Sequence, residues 1–334
     1  MTGRPPRRGR RLLVRYLVGS ILAAALLITS VVTYVVQPFA SGKANVIREN
    51  ANADRLRKHV EVLAGSLAPR TEERVDLLDA TANYIATEFA TAGLAASMQT
   101  FDVQGRAFRN VVATIGPETT ERVVVGAHYD AATPGPGADD NASGVAGLLE
   151  LGRLLAANPP ATRVDLVAYS LEEPPHFRTP SMGSRAHAVA LAKGGVHVRA
   201  MISLEMIGYF TDQPDSQQYP LNVMGLAYPT RGDFIAVVGR LGEAWLTRRI
   251  KGSMSSAGSV PVRSINAPRA IPGIDFSDHL NYWDAGYPAV MVTDTSFYRN
   301  ANYHEPSDLP STLDYRRMAT VVEQIAAAAR DLAR

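Results

Sequence analysis

From Tyr16 to Val36 the chain runs for 21 residues without a charged side chain, YLVGSILAAALLITSVVTYVV. A helix of that length can cross a hydrocarbon layer of about 30 Å or form the centre of a core. The flanks favour the membrane. Residues 1–15 carry six arginines (4, 7, 8, 10, 11 and 15) and no acid. By the positive-inside rule the N-terminus is expected in the cytoplasm and everything beyond about residue 40 outside it. A cleaved signal peptide has a shorter apolar region, about 7–15 residues. A weak cleavage candidate follows at Ala40-Ser41-Gly42, and Arg10–Arg15 loosely resembles a twin-arginine signal. The organisation predicted is a basic tail (1–15), a single membrane-spanning helix (16–36), a linker (37–51) and one folded domain (52–334).

Charge reinforces that division. The 34 basic and 32 acidic side chains give a net charge of +2. Removing the six tail arginines leaves 28 against 32, or −4, for the remainder. No basic face runs through the body, so nucleic acid is not an expected partner. The chain has no cysteine, which excludes disulfide scaffolds, thiolate zinc sites, iron–sulfur clusters and cysteine nucleophiles. A transition metal would have to be held by His, Asp and Glu.

Beyond residue 52, strand and helix patterns alternate. Helical periodicity covers about 52–66 and 72–93, and strand-like runs appear near 98–103, 110–115 and 123–127. A helix is expected at about 142–157, a strand at 164–169, a helix at 183–193 and a strand at 197–204. A polar loop (211–231), a helix (232–249), a strand (288–292) and a closing helix (311–333) complete the reading. This order predicts an α/β domain with a mixed, mostly parallel sheet sandwiched between helices. Sites in such sheets gather at the carboxyl ends of strands.

Chemistry-bearing residues lie at those ends. The run Val123–Ala127 leads into His128-Tyr129-Asp130, where His128 can ligate a metal and Asp130 can accept its other ring N–H. Alone, such a pair is more often an ordinary loop. Gly137-Ala138-Asp139-Asp140-Asn141-Ala142-Ser143-Gly144 sets two carboxylates among small residues before a helix, a pattern equally suited to capping. After Val164–Tyr169 come Glu172 and Glu173, an adjacent pair that is costly to bury without a cation. Glu205 sits inside an apolar run and needs a partner, and His304 follows a polar stretch. Together and in this order, five hard or borderline ligands at strand ends match an oxygen/nitrogen site for two zinc ions. Such a site activates water and stabilises charge on an attacked carbonyl.

The ordered motifs Gly-Ala-His-Tyr-Asp, Gly-Ala-Asp-Asp-Asn-Ala-Ser-Gly, Glu-Glu, Glu-Met-Ile-Gly, Ser-Asp-His and Tyr-His-x-Pro-x-Asp resemble the dizinc aminopeptidases. That clan of zinc exopeptidases also contains glutamate carboxypeptidase and glutaminyl cyclase. The resemblance spans about 52–334 and implies the same sheet between helices. It implies that His128 and Glu205 bind one zinc, Glu173 and His304 the other, and Asp140 bridges them, with a cis peptide bond to Asn141. It further implies that Glu172 is the general base, that Tyr303 hydrogen-bonds the oxyanion, and that Asp130, Asn141 and Asp278 stand behind the ligands. Carboxylates near the metals would take the α-ammonium group, so the expected substrates are peptides with a free N-terminus.

The chain also departs from the family. Glu205 stands where familiar members have Asp. A longer loop, Pro174–Met182, separates Glu172-Glu173 from Gly183-Ser184, and its His176 is expected at the solvent-exposed surface. No protease-associated domain is inserted between the helices. Two alternatives stay open: a single-zinc glutaminyl cyclase, and a non-catalytic membrane protein that binds through the same fold.

Overall fold

The computed structural model describes residues 7–37, 40 and 50–334, so most of the linker expected at 37–51 lies outside the described residues. Helix α1 (Arg7–Val36) contains a stretch, Leu12–Val36, that is long and apolar enough to cross a membrane and of which 0% is buried. The folded domain then runs α2 (Ala53–Glu61), α3 (Val75–Thr91), β1 (Ala96–Val103), β2 (Arg106–Ile115), β3 (Glu121–His128), α4 (Gly144–Ala157), β4 (Arg163–Tyr169), α5 (Gly183–Lys193) and β5 (His197–Glu205). It closes with β6 (Ile235–Arg240), α6 (Ala244–Ser255), β7 (Val262–Ala267), α7 (His279–Asp284), β8 (Ala289–Thr293) and α8 (Tyr315–Leu332).

The strands form one sheet in the order β1-β2-β4-β3-β5-β8-β6-β7. Its centre is parallel: β3 pairs with β4 and β5, and β5 with β8. The β1–β2, β2–β4 and β6–β8 pairs are antiparallel. Alternate side chains of the central strands enter two different cores, as a sheet covered on both faces requires. Val123, Val125, Leu166 and Ala168 pack with α2, α3, α4, α6 and α8. Val124, Val167 and Tyr169 face α5 and α7 with Ala188, Leu191, Tyr282 and Trp283. The α/β sandwich expected from the alternation is thus what forms.

One stretch departs from that expectation. The helix predicted over 232–249 is instead strand β6 followed by a short 3-10 turn (Leu241–Glu243) and α6, and strand β7 had no counterpart. The run Phe234-Ile235-Ala236-Val237-Val238 is too short to show a period. Apolar runs of this length fit a buried strand and a buried helix equally. The pairing of β6 with β8 on one side and β7 on the other decides for the strand.

Candidate active site

β3 ends at His128, β4 runs into Glu172-Glu173, and β5 ends at Glu205. Because these three strands are parallel neighbours, their carboxyl ends bring the four residues to one edge of the sheet. Asp140 arrives from the turn before α4, and His304 from the loop after β8. Three sets of side chains present ligand atoms within 4.8 Å of one another: His128, Asp140 and Glu205; Asp140, Glu173 and His304; and His128, Glu172 and Glu173. Asp140 belongs to the first two. All five residues expected as ligands, and Glu172, therefore meet in one place.

The spacing within the cluster suits a cation better than hydrogen bonds. His128 Nε2 lies 3.4 Å from Asp140 Oδ1 and 3.3 Å from Glu205 Oε2. His304 Nε2 lies 3.1 Å from Asp140 Oδ2 and 3.3 Å from Glu173 Oε2. Despite these approaches, His128 Nε2, His304 Nε2 and Glu205 Oε2 are buried without a hydrogen-bond partner among the described residues. Ligand atoms held at about 2.0–2.1 Å around a tetrahedral zinc stand about 3.3–3.4 Å apart. The lone pairs thus converge on common points, and the donor set fits zinc.

The electrostatics agree. Burial alone would lower the affinity of both histidines for a proton. Around His128 the charges of Glu205 and Glu172 outweigh it and hold the ring well above its usual range. Around His304 the carboxylates of Asp140 and Glu173 lift the ring to about 10. For Asp140, burial is overcome by the two imidazoles, which keep it below the ordinary carboxylate range. Glu173 is pushed up to about 7 by burial and by Asp140, and Glu172 is raised by burial. This concentration of buried carboxylates calls for positive charge, which a bound cation would supply.

A frame of hydrogen bonds positions the ligands. The Asp130 carboxylate lies 3.6 Å from His128 Nδ1, too far for the hydrogen bond expected of it. It accepts instead the backbone N–H groups of Glu172 (3.1 Å) and Glu173 (3.0 Å), while the backbone carbonyl of Asp130 stands 3.2 Å from His128 Nδ1. The Asp140–Asn141 peptide is cis, as the resemblance implied. Asn141 bridges two elements: Nδ2 donates to Leu204 O, and Oδ1 accepts from Gly144 N and Met206 N. Asp278 is fully buried, and burial lifts it to about 7. The Tyr303 ring stacks on the His304 ring, with centroids 3.8 Å apart. Burial and nearby carboxylates push the Tyr303 phenol upward, so it keeps its proton.

Two supporting residues escaped the sequence reading. Asp308 accepts the backbone N–H groups of Asp139 (2.9 Å) and Asp140 (3.1 Å). It ends the Tyr-His-x-Pro-x-Asp motif, so a signal was present. Arg70 is fully buried and donates to the carbonyls of Leu63, Tyr129, Pro136 and Gly137, tying together the loops beside the site. Gly137 is needed there: its φ is +65°, and a Cβ would collide with the Asp140 carbonyl. Nothing local to Arg70 announces this role, because three of its four acceptors are distant in sequence. His176 also departs from expectation. It is only 9% exposed, and its Nε2 lies 2.6 Å from Glu72 Oε2, an acid on the loop before α3.

Asp140, Glu172, Glu173, Glu205, Tyr303 and His304 share a cavity of about 230 Å³. Much of its remaining wall is apolar, with Phe177, Met224, Phe234, Ile274, Phe276 and Phe297.

Comparison with known proteins agrees with this picture. The model of peptidase family M28 matches residues 110–329. The chain belongs to peptidase family M28. It is thereby placed in an enzyme family. An uncharacterised protein of Escherichia coli K12, YfbL, is 44% identical over 91% of this chain and 95% of its own length. Leucine aminopeptidase 1 of Coccidioides posadasii is 27% identical over 67% of this chain. The match covers 55% of that relative, so the M28 chain spans about half its length. The same fold occurs in a zinc aminopeptidase from Bacillus subtilis, with TM-score 0.65 at 14% identity over 85% of this chain and 96% of that one. It recurs in a glutaminyl cyclase from Bacteroides thetaiotaomicron, with TM-score 0.65 at 19% identity over 85% and 99% of the two chains.

Proposed function

We propose that the protein is a membrane-anchored dizinc aminopeptidase whose catalytic domain lies outside the cytoplasm. The observation that carries this reading is the pair of ligand sets joined by Asp140. On this reading His128 and Glu205 would hold one zinc and Glu173 and His304 the other, with Asp140 available to both. The anchor rests on the uncharged α1 span and the arginines before it.

When bound, the zinc pair supplies Lewis acidity for the scissile carbonyl and makes water nucleophilic near neutral pH. The remaining work falls to the chain. Glu172 takes a proton from the attacking water, whose oxygen becomes bonded to the acyl carbon. It then delivers that proton to the departing amine as the C–N bond breaks. Burial, which favours protonated Glu172, suits a group that must hold a proton between the two steps. The protonated Tyr303 phenol donates to the oxyanion. Asp130 fixes both glutamates through their backbone N–H groups. The apolar cavity wall takes the side chain of the N-terminal residue, and its aromatic content favours large apolar ones.

The test uses the full chain in nanodiscs, prepared without chelator, against dipeptides and aminoacyl amides that include N-terminal Gln. Release of free amino acid, with about two zinc ions per chain, is expected. Ammonia from Gln substrates alone, without chain shortening and with about one zinc, would replace this reading with a cyclase. No turnover and no metal would overturn both.

A further inference from the structure

The end of α1 is hydrogen-bonded to one edge of the catalytic domain. Tyr34 Oη donates to Leu241 O. The Val36 carbonyl accepts from Lys251 Nζ and Ser264 Oγ, each at 2.9 Å. Gln37 Nε2 donates to Ala244 O and Asn266 Oδ1. If α1 spans a bilayer, this edge sits where the chain leaves it.

The same edge carries apolar side chains that no part of the described chain covers. Leu241 and Trp245 flank the α1 exit and are 43% and 53% exposed. The loop 216–230, which contains no charged residue, meets the same edge at β7. Tyr228 Oη in this loop donates to Ser264 O, so the loop is tied to the very residue that binds Val36. It exposes Leu221 (48%), Val223 (65%) and Leu226 (89%). A soluble surface has little reason to present such residues together on an uncharged loop. Arg248 and Arg263 lie on the adjoining α6 and β7. Both are exposed, and neither forms an ion pair among the described residues.

We infer that this face, formed by Leu221, Val223, Leu226, Leu241 and Trp245, is seated on the lipid surface of the membrane that α1 enters. The occupant is the bilayer: apolar side chains reach the boundary between headgroups and acyl chains, with Arg248 and Arg263 level with anionic headgroups. Continuity with α1 decides for lipid over another protein, because a helix fixed to this edge brings it to the membrane whatever else the domain does. The consequence reaches the active site. Tyr219, Met224 and Tyr228 of the same loop line the catalytic cavity, as does Arg263 of β7. The cavity wall is therefore continuous with the lipid-facing surface, and peptides that partition into the interface enter from there.

This inference rests on the anchored reading, and the test separates the two. The chain has two tryptophans, Trp245 and the 3% exposed Trp283. Full chain is reconstituted into vesicles of phosphatidylcholine and phosphatidylglycerol with brominated acyl chains, and Trp245→Phe supplies the background of Trp283. The Trp245 emission is expected to be largely quenched. The double variant Val223→Asp/Leu226→Asp is expected to restore most of it, while leaving turnover of a soluble aminoacyl amide unchanged and lowering turnover of an N-apolar, C-acylated peptide bound to the vesicles. Alkaline carbonate extraction is run in parallel. A chain that stays in the pellet with unquenched Trp245 overturns the seating alone. Quenching that ignores the double variant overturns the assignment of the loop. A chain released by carbonate overturns the anchor and the seating with it. Emission that responds to protein dilution and not to brominated lipid would show that a second copy covers the face, and the inference fails.

Discussion

Two pairs of histidines in this domain behave in opposite ways. His128 and His304 stand among carboxylates, which override burial and raise the proton affinity of both rings. His187 and His279 lie across the sheet with α5 and α7. Burial lowers each of them to about 4. His187 Nδ1 is 2.6 Å from Tyr282 Oη, and His279 Nε2 is 2.9 Å from Ile274 O. Burial is common to all but His304, which is more open. The company kept is what differs: negative charge in one pair, neutral groups in the other. A buried histidine is thus no indication of a site by itself, and the surrounding charge decides what it can hold.

The contrast can be broken most severely at Glu172. Glu172→Gln keeps the shape of the pocket and removes the proton acceptor. Steady-state assays should show kcat falling by about 10²–10⁴-fold with zinc content unchanged. Equal loss of zinc would instead place Glu172 among the ligands.

Chelation probes the carboxylate-rich pair as a whole. Removing zinc should lower the melting temperature, and adding it back should restore it. With free zinc at 1,000 times its dissociation constant, each site contributes about 4 kcal/mol. His128→Ala and His304→Ala should each abolish most of that response in differential scanning fluorimetry. His187→Gln should leave the response to zinc intact, although it lowers the starting temperature. A response that survives in His128→Ala and His304→Ala would remove both residues from the ligand set.

A smaller effect is expected at Asp130, whose carboxylate reaches no ligand side chain but holds the base Glu172 and the ligand Glu173 by their backbones. Asp130→Ala should weaken zinc binding about 10–100-fold in competition with a chelating dye. An unchanged affinity would show that β4 alone sets the positions of Glu172 and Glu173.

The neutral pair should report itself through pH. His187 and His279 have folded values near 4 against an ordinary 6.5. For a group lowered on folding, its contribution is complete above the unfolded value and is lost as pH falls toward the folded one. Between pH 6.5 and 4, each histidine should therefore add a slope of up to about 1.4 kcal/mol per pH unit to the unfolding free energy. Urea titrations of His187→Gln across this window should show a shallower slope. An identical slope would mean that His187 is protonated in the folded chain.

Much of this molecule could be read along the chain, and the reason is locality. The α1 span follows from a run of uncharged residues and the arginines that precede it. The central strands follow from short apolar runs, and four of the six cluster residues, His128, Glu172, Glu173 and Glu205, stand at or just after their ends. A parallel sheet brings its strand ends together without further instruction, so those four converge from strand order alone, while Asp140 and His304 arrive on loops. What the sequence left undecided depends on partners distant in the chain. Strand β6 is settled by pairing with β7 and β8, because five apolar residues carry no period of their own. His176 is covered by Glu72, more than a hundred residues away, rather than exposed. Asp130 turns from the imidazole to two backbone N–H groups, Arg70 gathers three distant carbonyls, and the end of α1 meets Ser264 and Lys251. Periodicity and motif order are written within a few residues of one another. Hydrogen-bond satisfaction and the docking of surfaces are settled only when the whole chain has folded and each buried polar group has taken the partner that is within reach.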